Sequence, residues 1–355
     1  KDGTDDDSFK SKFGADACVM SVSSNEAALA ESNRLVSGTP WLFSRADAQG
    51  AFDVLVVDEA GQLALADAIA CARAADNLVL LGDPLQLAQV SQGSHPPGIG
   101  RSVLEHLLGK HLTIPPERGI FLPQSYRMHP AICRYISDAV YEGRLDSVAG
   151  NEVNAVTSPG LRGSGLRYIG VEHAGNRRES AAEADAIVVA VTSLREGSFV
   201  VRGAAERPVR DEDILIVSPY NAQRALLQKK LAAAGFPGIR VGTVDKFQGQ
   251  EAPILFYSMA TSSGEDVPRD MEFLFEKNRF NVAISRAQCL SVLVCSPRLL
   301  EIRCRTPEQM SLVNLLCDFC ERATPRIDSE ATIASVAPEN LPGEEHDTVI
   351  GRESL

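Results

Sequence analysis

The stretch that decides the fold class is Val54-Leu55-Val56-Val57-Asp58-Glu59-Ala60-Gly61-Gln62, in which four apolar residues run into two adjacent carboxylates. An apolar run without alternation is typical of a parallel strand that is covered on both faces. In open α/β sheets, ligands bind beyond the carboxyl ends of such strands. A carboxylate at that end can hold Mg²⁺ on a nucleoside triphosphate, and its neighbour can orient the attacking water. The alternative interpretation is a helix start at which acidic residues are merely favourable.

A second apolar run ends in a polar turn and supports the same fold class. It comprises Leu78-Val79-Leu80-Leu81, followed by Gly82-Asp83-Pro84-Leu85-Gln86-Leu87. If the two strands are neighbours, Gln86 lies beside Asp58 and Glu59, because the carboxyl ends of parallel strands share one edge of a sheet. A glutamine amide both donates and accepts hydrogen bonds, so it can contact a terminal phosphate and its water. The alternative is a simple Gly-Asp-Pro turn.

Apolar runs alternate with helical patterns along the chain, which favours an α/β architecture with mostly parallel sheets. The predicted strands are Asp53–Val57, Leu78–Leu81, Gly119–Leu122, Leu166–Val171, Ile214–Val217, Ile239–Gly242, Pro253–Met259 and Ser291–Cys295. The predicted helices are Gln62–Ala75, Ser102–Leu108, Pro130–Tyr141, Ser180–Leu194, Ala222–Ala234 and Pro307–Arg322. Ser180 and Glu183 have the spacing of a capping box at the start of one of these helices.

The composition excludes several classes of protein. Apolar residues make up 44% and charged residues 23% of the 355-residue chain, close to the globular average and unlike a wholly disordered protein. No apolar run is long enough for a transmembrane helix, and no charged-then-apolar leader follows Lys1. The net charge of −12 does not indicate a broad basic surface for nucleic acid, although a local basic groove can lie on an acidic protein.

The eight cysteines are scattered, as is typical of small buried side chains in a reducing compartment, and we expect a cytoplasmic protein without a membrane partner. Cys317 and Cys320 form one close pair, but a structural zinc site usually needs two such pairs. Their spacing in an apolar helical run favours packing in the core. Trp41, the one tryptophan, is also interpreted as a core residue, with base stacking as the alternative.

An ordered set of segments resembles the motifs of superfamily 1 helicases. The two turns quoted above resemble motifs II and III. Motif IV is resembled by Gln124-Ser125-Tyr126-Arg127-Met128-His129-Pro130, and the segment between motifs IV and V by Ser218-Pro219-Tyr220-Asn221-Ala222-Gln223. Motif V is resembled by Val241-Gly242-Thr243-Val244-Asp245-Lys246-Phe247-Gln248-Gly249-Gln250-Glu251. Motif VI is resembled by Asn281-Val282-Ala283-Ile284-Ser285-Arg286-Ala287. Each segment alone is a weak signal, but their order is specific. The chain is similar to the 5′→3′ branch that includes the nonsense-mediated-decay RNA helicase.

The segment Val36–Phe43 is more similar to the helicase part of bacterial fusions with a RecB-type nuclease. The resemblance implies two RecA-like domains with mostly parallel sheets, and with ATP in the cleft between them. Residues 1–112 would be the C-terminal part of the first domain, residues 113–323 the second domain, and residues 324–355 an acidic, flexible tail. A nuclease domain on the same parent chain would be a partner.

The resemblance also implies roles for individual residues. Asp58 would bind Mg²⁺, Glu59 would activate water and Gln86 would sense the γ-phosphate of ATP. Arg127 and Arg286 would act as arginine fingers, which neutralise charge that develops in the transition state. For these two residues the alternatives are a salt bridge at a helix start and a solvated helical arginine, respectively.

Further implied roles concern the nucleotide sugar and the nucleic acid. Glu251 would contact the sugar of the nucleotide. Thr39, Ser218 and Thr243 would contact the phosphate backbone of a single strand, with DNA expected over RNA. Hydroxyl groups and backbone N–H groups at strand ends suit such contacts, which carry no base specificity. A sequence-tolerant track of this kind does not need a broad basic face.

The sequence departs from the family in one respect, because it contains no G-x-x-x-x-G-K-[ST] phosphate-binding loop. Gly109-Lys110 is the one Gly-Lys pair, and it follows a helical run rather than a strand. In the family this loop lies upstream of the acidic motif, so we expect the first RecA-like domain to be truncated at its N-terminal side. The leading hypothesis is the C-terminal motor fragment of an ATP-driven helicase or translocase, inactive by itself. The alternative is a non-catalytic nucleic-acid-binding module of a nuclease complex.

Overall fold

The computed structural model describes residues 21–87, 100–247, 249–267, 271–323 and 327–328. The chain divides into two compact units at Gly119/Ile120. The predicted acidic tail lies outside the described residues, apart from residues 327–328. Within these ranges, no helix is long and apolar enough to cross a membrane.

The first unit is built on two parallel strands. Short helices α1 (Asn25–Ala28) and α2 (Pro40–Phe43) precede strand β1 (Phe52–Val57), helix α3 (Leu65–Ala72), strand β2 (Ala75–Leu80) and helix α4 (Val103–Leu108). Val54 of β1 pairs with Asn77 of β2, and Val57 pairs with Leu80. This register places the carboxyl ends of both strands at one edge of the sheet. Helix α3 is shorter than the helix predicted over Gln62–Ala75, because the chain must turn before it enters β2.

Helix α2 corrects the interpretation of Trp41 as a core residue. Leu42 and Phe43 are buried in a hydrophobic cluster, whereas Trp41 is 81% exposed. A helix of four residues has one face to bury, and the two residues after Trp41 occupy it. The one tryptophan of the chain is thus a surface residue.

The second unit contains a larger sheet that is parallel throughout. Around it lie β3 (Gln124–Ser125), α5 (Pro130–Val140), β4 (Asp146–Ser147), β5 (Ala155–Thr157), β6 (Gly165–Gly170), α6 (Ala181–Arg195), β7 (Ser198–Val200), β8 (Arg207–Pro208), β9 (Ile214–Val217), α7 (Asn221–Ala233), β10 (Arg240–Gly242), β11 (Ala252–Ser258), α8 (Met271–Leu274), α9 (Lys277–Ile284), β12 (Ala287–Cys295), α10 (Pro307–Arg322) and β13 (Ile327–Asp328). The large sheet has the strand order β10-β9-β11-β12-β6-β13. The predicted α/β architecture with mostly parallel sheets is confirmed.

The central strands of this sheet are continuous apolar runs because helices cover both faces. All four residues of β9 and all seven of β11 are buried. They pack with α6 and α7 in one core cluster. Smaller pairings lie outside this sheet, with β3 parallel to β4, and β7 antiparallel to both β5 and β8.

Two sequence predictions in this unit are wrong. Residues Gly119–Leu122 do not form a strand, since Ile120 and Leu122 are exposed and the short strand β3 begins only at Gln124. The capping box at α6 is also incomplete. Ser180 accepts a hydrogen bond from the Glu183 N–H, but the Ser180 N–H donates to Gln223. Glu183 is fully buried, and its carboxylate turns toward other elements.

Candidate functional site

The carboxylates that follow β1 stand on an unusual backbone turn. Glu59 has φ = 53° and ψ = 39°, a left-handed conformation that non-glycine residues adopt rarely and at functional sites more often than elsewhere. Its N–H donates to Asp58 Oδ1 at 2.9 Å, and Gln62 Nε2 donates to Glu59 Oε2 at 3.2 Å. Both carboxylates remain exposed to solvent. The turn therefore presents two oriented acidic groups at the edge of the sheet.

The turn after β2 packs closely against the turn after β1. The Ala60 N–H donates to the Leu81 carbonyl at 2.8 Å. A Cβ atom on Gly61 would lie 2.6 Å from the Asp83 carbonyl oxygen, and one on Gly82 would lie 2.8 Å from the Ala60 nitrogen. Only glycine allows this approach, because real Cβ atoms do not come so near to a backbone atom. The predicted proximity of the two strand ends is present.

Gln86 is held in this turn by a residue that sequence reasoning missed. Gln86 Nε2 donates to Asp83 Oδ2 at 3.1 Å, while Asp83 Oδ1 accepts the Leu85 N–H at 2.9 Å. Asp83 thus orients the glutamine amide at the same edge as Asp58 and Glu59. The Gly-Asp-Pro turn was the available signal, since aspartate commonly accepts hydrogen bonds from the backbone two residues onward.

In the second unit, Arg127 forms an ion pair with Glu251. Arg127 Nε lies 2.5 Å from Glu251 Oε2, and Arg127 Nη1 donates to the Ser285 carbonyl at 3.3 Å. The other oxygen of Glu251 accepts a hydrogen bond from Gln288 Nε2 at 3.0 Å. The structure therefore brings two predicted site residues, Arg127 and Glu251, onto the turn that contains Arg286. The salt bridge offered as the alternative for Arg127 describes its present contacts.

A cavity of about 310 Å³ opens at this ion pair. It is lined by Ser125, Tyr126, Arg127 and Glu251. Tyr126 is 67% exposed, and the guanidinium carbon of Arg202 lies 5.4 Å from its ring centroid, within the range of a cation–π contact. The cavity therefore combines a charged pair with an exposed aromatic ring.

The histidine next to this site caps helix α5. His129 Nδ1 accepts the Ala131 N–H at 3.1 Å, and this requires the ring nitrogen to carry no proton. Burial lowers the pKa of His129, which favours that neutral form. The cap thus fixes the chain direction two residues after Arg127.

Arg286 is only 4% exposed, so the alternative of a solvated helical arginine is wrong. It follows helix α9, and its carbonyl accepts the Ala252 N–H at 3.1 Å, which ties the turn to β11. Its guanidinium is therefore largely hidden from solvent.

Two of the predicted nucleic-acid contacts share one edge of the large sheet. The Ser218 N–H donates to the Gly242 carbonyl at 3.1 Å, which places Ser218 beside the residue that precedes Thr243. Ser218 is fully buried and accepts a hydrogen bond from Tyr220, whereas Thr243 is partly exposed. Thr39 belongs to the first unit, where it is exposed at the start of α2 and makes no side-chain capping bond.

Comparisons with known proteins support the resemblance to superfamily 1 helicases. A family model described as an AAA domain matches residues 99–298, and one described as a viral superfamily 1 RNA helicase core domain matches residues 10–113. The DNA-binding protein SMUBP-2 of Mesocricetus auratus is 31% identical over 70% of this chain and 25% of its own length. The DNA polymerase alpha-associated DNA helicase A of Schizosaccharomyces pombe is 30% identical over 66% of this chain and 36% of its own length.

A third relative and one solved structure complete the comparison. The DNA replication ATP-dependent helicase/nuclease dna2 of Schizosaccharomyces pombe is 30% identical over 68% of this chain and 18% of its own length. The arterivirus nonstructural protein 10 (helicase) structure has 16% identity and a TM-score of 0.34, and it covers 72% of this chain and 40% of its own. The chain spans about a quarter to a third of the length of the first curated relatives it matches.

Proposed function

This chain belongs to the superfamily 1 helicases, and from that premise we propose that it is the C-terminal motor part of an ATP-dependent helicase or translocase. The observation that carries the proposal is the contact between the two polar turns after β1 and β2. Through the 2.8 Å hydrogen bond from Ala60 to Leu81, these turns gather Asp58, Glu59 and Gln86 at one sheet edge. Such an edge is where open α/β sheets bind nucleotides.

The residues of the first unit fit Mg²⁺ and the terminal phosphate of ATP. Asp58 is exposed and accepts the Glu59 N–H on Oδ1, so that its second oxygen has no hydrogen-bond partner among the described residues and suits a hard cation. We assign Asp58 to Mg²⁺, Glu59 to orienting water, and Gln86 to sensing the γ-phosphate. Bound Mg²⁺ would neutralise phosphate charge. The backbone cradle for the phosphates is not encoded in this sequence, so hydrolysis needs a phosphate-binding loop from elsewhere.

The residues of the second unit would respond to the nucleotide. We assign Arg127 and Arg286 to stabilising phosphate charge in the transition state, and Glu251 to the nucleotide sugar. In the structure Glu251 holds Arg127 in an ion pair through Nε. Negative phosphate oxygens would compete with the Glu251 carboxylate for the same guanidinium, so we expect nucleotide binding to weaken this ion pair.

Single-stranded nucleic acid is the proposed track, with DNA preferred because three of the relatives carry DNA in their names. Thr39, which is exposed, and Thr243, which is partly exposed, would contact phosphates through their hydroxyls, and the Ser218 turn would contribute through its backbone. The test is fluorescence anisotropy with labelled oligodeoxythymidylate and oligouridylate at several salt concentrations. We expect weak binding that falls with salt and favours DNA, because phosphate contacts release counterions. Salt-independent binding to one duplex sequence would contradict the proposal.

A second candidate is a non-catalytic nucleic-acid-binding module of a nuclease complex. It is favoured by the absence of a phosphate-binding loop from this sequence and by the pairing of Arg127 with Glu251. A nuclease domain on the same polypeptide would fit either candidate, as in the relative named helicase/nuclease. The two candidates differ in one measurement, because only the motor predicts that a longer polypeptide with the loop hydrolyses ATP when strand is added.

A further inference from the structure

A buried carboxylate at the start of α6 joins two loops of the second unit. Glu183 is 0% exposed, and Ser258 Oγ donates to its Oε2 at 2.6 Å. The Ala260 N–H lies 3.0 and 2.9 Å from its two oxygens, and His173 Nε2 lies 3.0 Å from Oε1. Removing a carboxylate from water is costly unless donors replace the solvent, and here three groups supply them. Ser258 is the last residue of β11, Ala260 lies in the loop that follows β11, and His173 lies in the loop that follows β6.

His173 extends this contact into the loop after β6. Its Nδ1 lies 2.7 Å from Ser262 Oγ, which also accepts the Asn176 N–H at 2.9 Å. In the tautomer with a proton on Nε2 and none on Nδ1, His173 donates to Glu183 and accepts a hydrogen bond from the Ser262 hydroxyl. The return bond from the Ser262 N–H to the Asn176 carbonyl, at 2.9 Å, closes the two loops on each other.

Ser258 links Glu183 to helix α7, which follows β9. Gln223 Nε2 donates to Ser258 Oγ at 2.9 Å and to the Ser180 carbonyl at 3.2 Å, and Gln223 is fully buried. Its Oε1 accepts the Ser180 N–H at 2.7 Å. Gln223 lies on α7, in the same segment as the turn at Ser218. Buried side chains therefore join the carboxyl ends of β6, β9 and β11. These side chains are Glu183, His173, Ser258, Ser262 and Gln223.

A second route leads from the same carboxylate to Ser218. Ala260, whose N–H Glu183 accepts, has φ = 64°, a conformation that a non-glycine residue keeps only when its surroundings hold it. The next residue, Thr261, places Oγ1 3.4 Å from the Tyr220 hydroxyl, and the Tyr220 N–H donates to Ser218 Oγ. Loss of the Glu183 carboxylate would free the strained residue and release the contact to Tyr220.

We infer that Glu183 is a positioning residue for single-strand binding, which it supports by holding the loops around Ser218 in their binding arrangement before the strand arrives. The inference rests on the proposed function, in which the edge at Ser218 and Thr243 contacts the strand. Preformed loops lose less conformational freedom on binding, so they bind more tightly than mobile loops with the same contacts. Glu183 itself is buried and would make no contact with the bound nucleic acid.

The test compares Glu183→Gln with Asp213→Asn in the full chain. Both changes neutralise a buried carboxylate at nearly constant volume. Asp213 accepts bonds from Arg207 at 2.7 and 2.6 Å and from the Arg210 N–H, but it precedes β9 and so lies at the opposite end of that strand from Ser218. We expect Glu183→Gln to raise the Kd for oligodeoxythymidylate about tenfold, and Asp213→Asn to leave it unchanged.

A local readout separates positioning from general stability. Hydrogen exchange should accelerate over residues 259–263 and 218–223 in Glu183→Gln, and over residues 207–213 in Asp213→Asn. Ser258→Ala is the second variant in case Glu183→Gln fails to fold, because it cuts the link to Gln223 and leaves His173 and Ala260 on Glu183. It should weaken strand binding in the same direction.

Each outcome decides something. If the unmodified chain does not bind the oligonucleotide, the proposed function fails, and this inference falls with it. If the unmodified chain binds and the Glu183 or Ser258 variant binds equally well, the inference alone is overturned. If Asp213→Asn weakens oligonucleotide binding as much as Glu183→Gln does, the role of Glu183 is purely structural and the inference is overturned as well.

Discussion

The Arg127–Glu251 ion pair gives a sharp prediction at the scale of one residue. In a longer polypeptide that carries a phosphate-binding loop, Arg127→Ala should lower kcat for ATP by about 10²-fold or more, because an arginine finger stabilises charge present only in the transition state. Strand affinity without nucleotide should stay near normal. Steady-state ATPase rates and anisotropy titrations on the same preparations make the comparison.

Two matched variants control this experiment. Arg322→Ala removes an arginine that pairs with Asp138 and Asp318 on the surface, and it should leave kcat unchanged. Thr243→Ala should do the reverse of Arg127→Ala, with weaker strand binding and a surviving basal ATPase. Normal turnover together with lost strand binding in the Arg127 variant would contradict the assignment of this arginine to the nucleotide.

His129 makes stability depend on pH. Burial lowers its pKa in the folded state, so below the ordinary pKa of about 6.5 the unfolded chain takes up a proton that the folded chain refuses. The free energy of unfolding should therefore fall as pH decreases from about 6.5 toward the lowered pKa. His129→Asn keeps an acceptor for the helix cap but does not titrate, so urea unfolding between pH 5 and 8 should show a smaller slope. If the free energy of unfolding of the variant depends on pH as steeply as that of the unmodified chain, His129 does not contribute to the pH dependence of stability.

At the scale of the element, the contact between the two polar turns depends on Gly61. Gly61→Ala would place a methyl group 2.6 Å from the Asp83 carbonyl oxygen, which forces the turns apart. We expect a loss of about 1–3 kcal/mol in the free energy of unfolding, the usual cost of overpacking. Gly100→Ala is the control, because no atom of the described residues lies within 4 Å of its added Cβ. Denaturant unfolding of both variants checks this, and equal stabilities would disprove the close approach.

Helix α2 gives an optical prediction. Since Trp41 is the one tryptophan and is 81% exposed, the intrinsic fluorescence of the chain should have the red-shifted emission of a solvated indole and should be quenched readily by acrylamide. Trp41→Phe should remove the signal and leave the far-ultraviolet circular dichroism spectrum unchanged. Blue-shifted emission with poor quenching would restore the core interpretation.

Patterns along the chain predicted the strongly periodic elements and missed features that depend on distant residues. Helix α10 and strand β9 have the predicted bounds, because long amphipathic runs and continuous apolar runs determine their own structure. Gly119–Leu122 has the same apolar character but pairs with no strand among the described residues, and pairing is a tertiary property. The capping box is incomplete because the Glu183 side chain accepts hydrogen bonds from Ser258, at the end of β11, and from Ala260, in the loop after it.

The candidate site was predicted in part for the same reason. The motifs predict roles for Asp58, Glu59 and Arg127, which lie in short segments with characteristic local sequences, and these roles stay predictions. It missed Gln288, whose role as a partner of Glu251 arises only when β11 and β12 pair. A contact between residues far apart in sequence leaves no local pattern.

At the scale of the whole molecule, the chain alone should not turn over ATP. Without a loop of backbone N–H groups and its lysine, the phosphates lack most of their binding energy, whatever the second unit supplies. Purified protein with saturating single-stranded DNA should therefore show ATPase activity at background level. The control is Glu59→Gln, which should give the same background. Turnover that Glu59→Gln abolishes would show that this chain completes a nucleotide site without that loop.

The strand order β10-β9-β11-β12-β6-β13 also determines when the second unit can form during synthesis on the ribosome. Strand β6 is made before the other strands of the large sheet, but both of its neighbours, β12 and β13, are among the last. Its apolar residues, among them Leu166 and Ile169, must wait unpaired until residue 295 has left the exit tunnel. Long-range pairing of this kind folds slowly and leaves nascent chains prone to aggregation. Chaperones that bind exposed apolar segments of nascent chains should therefore engage this chain until late in translation, and slowing elongation should not hasten its folding.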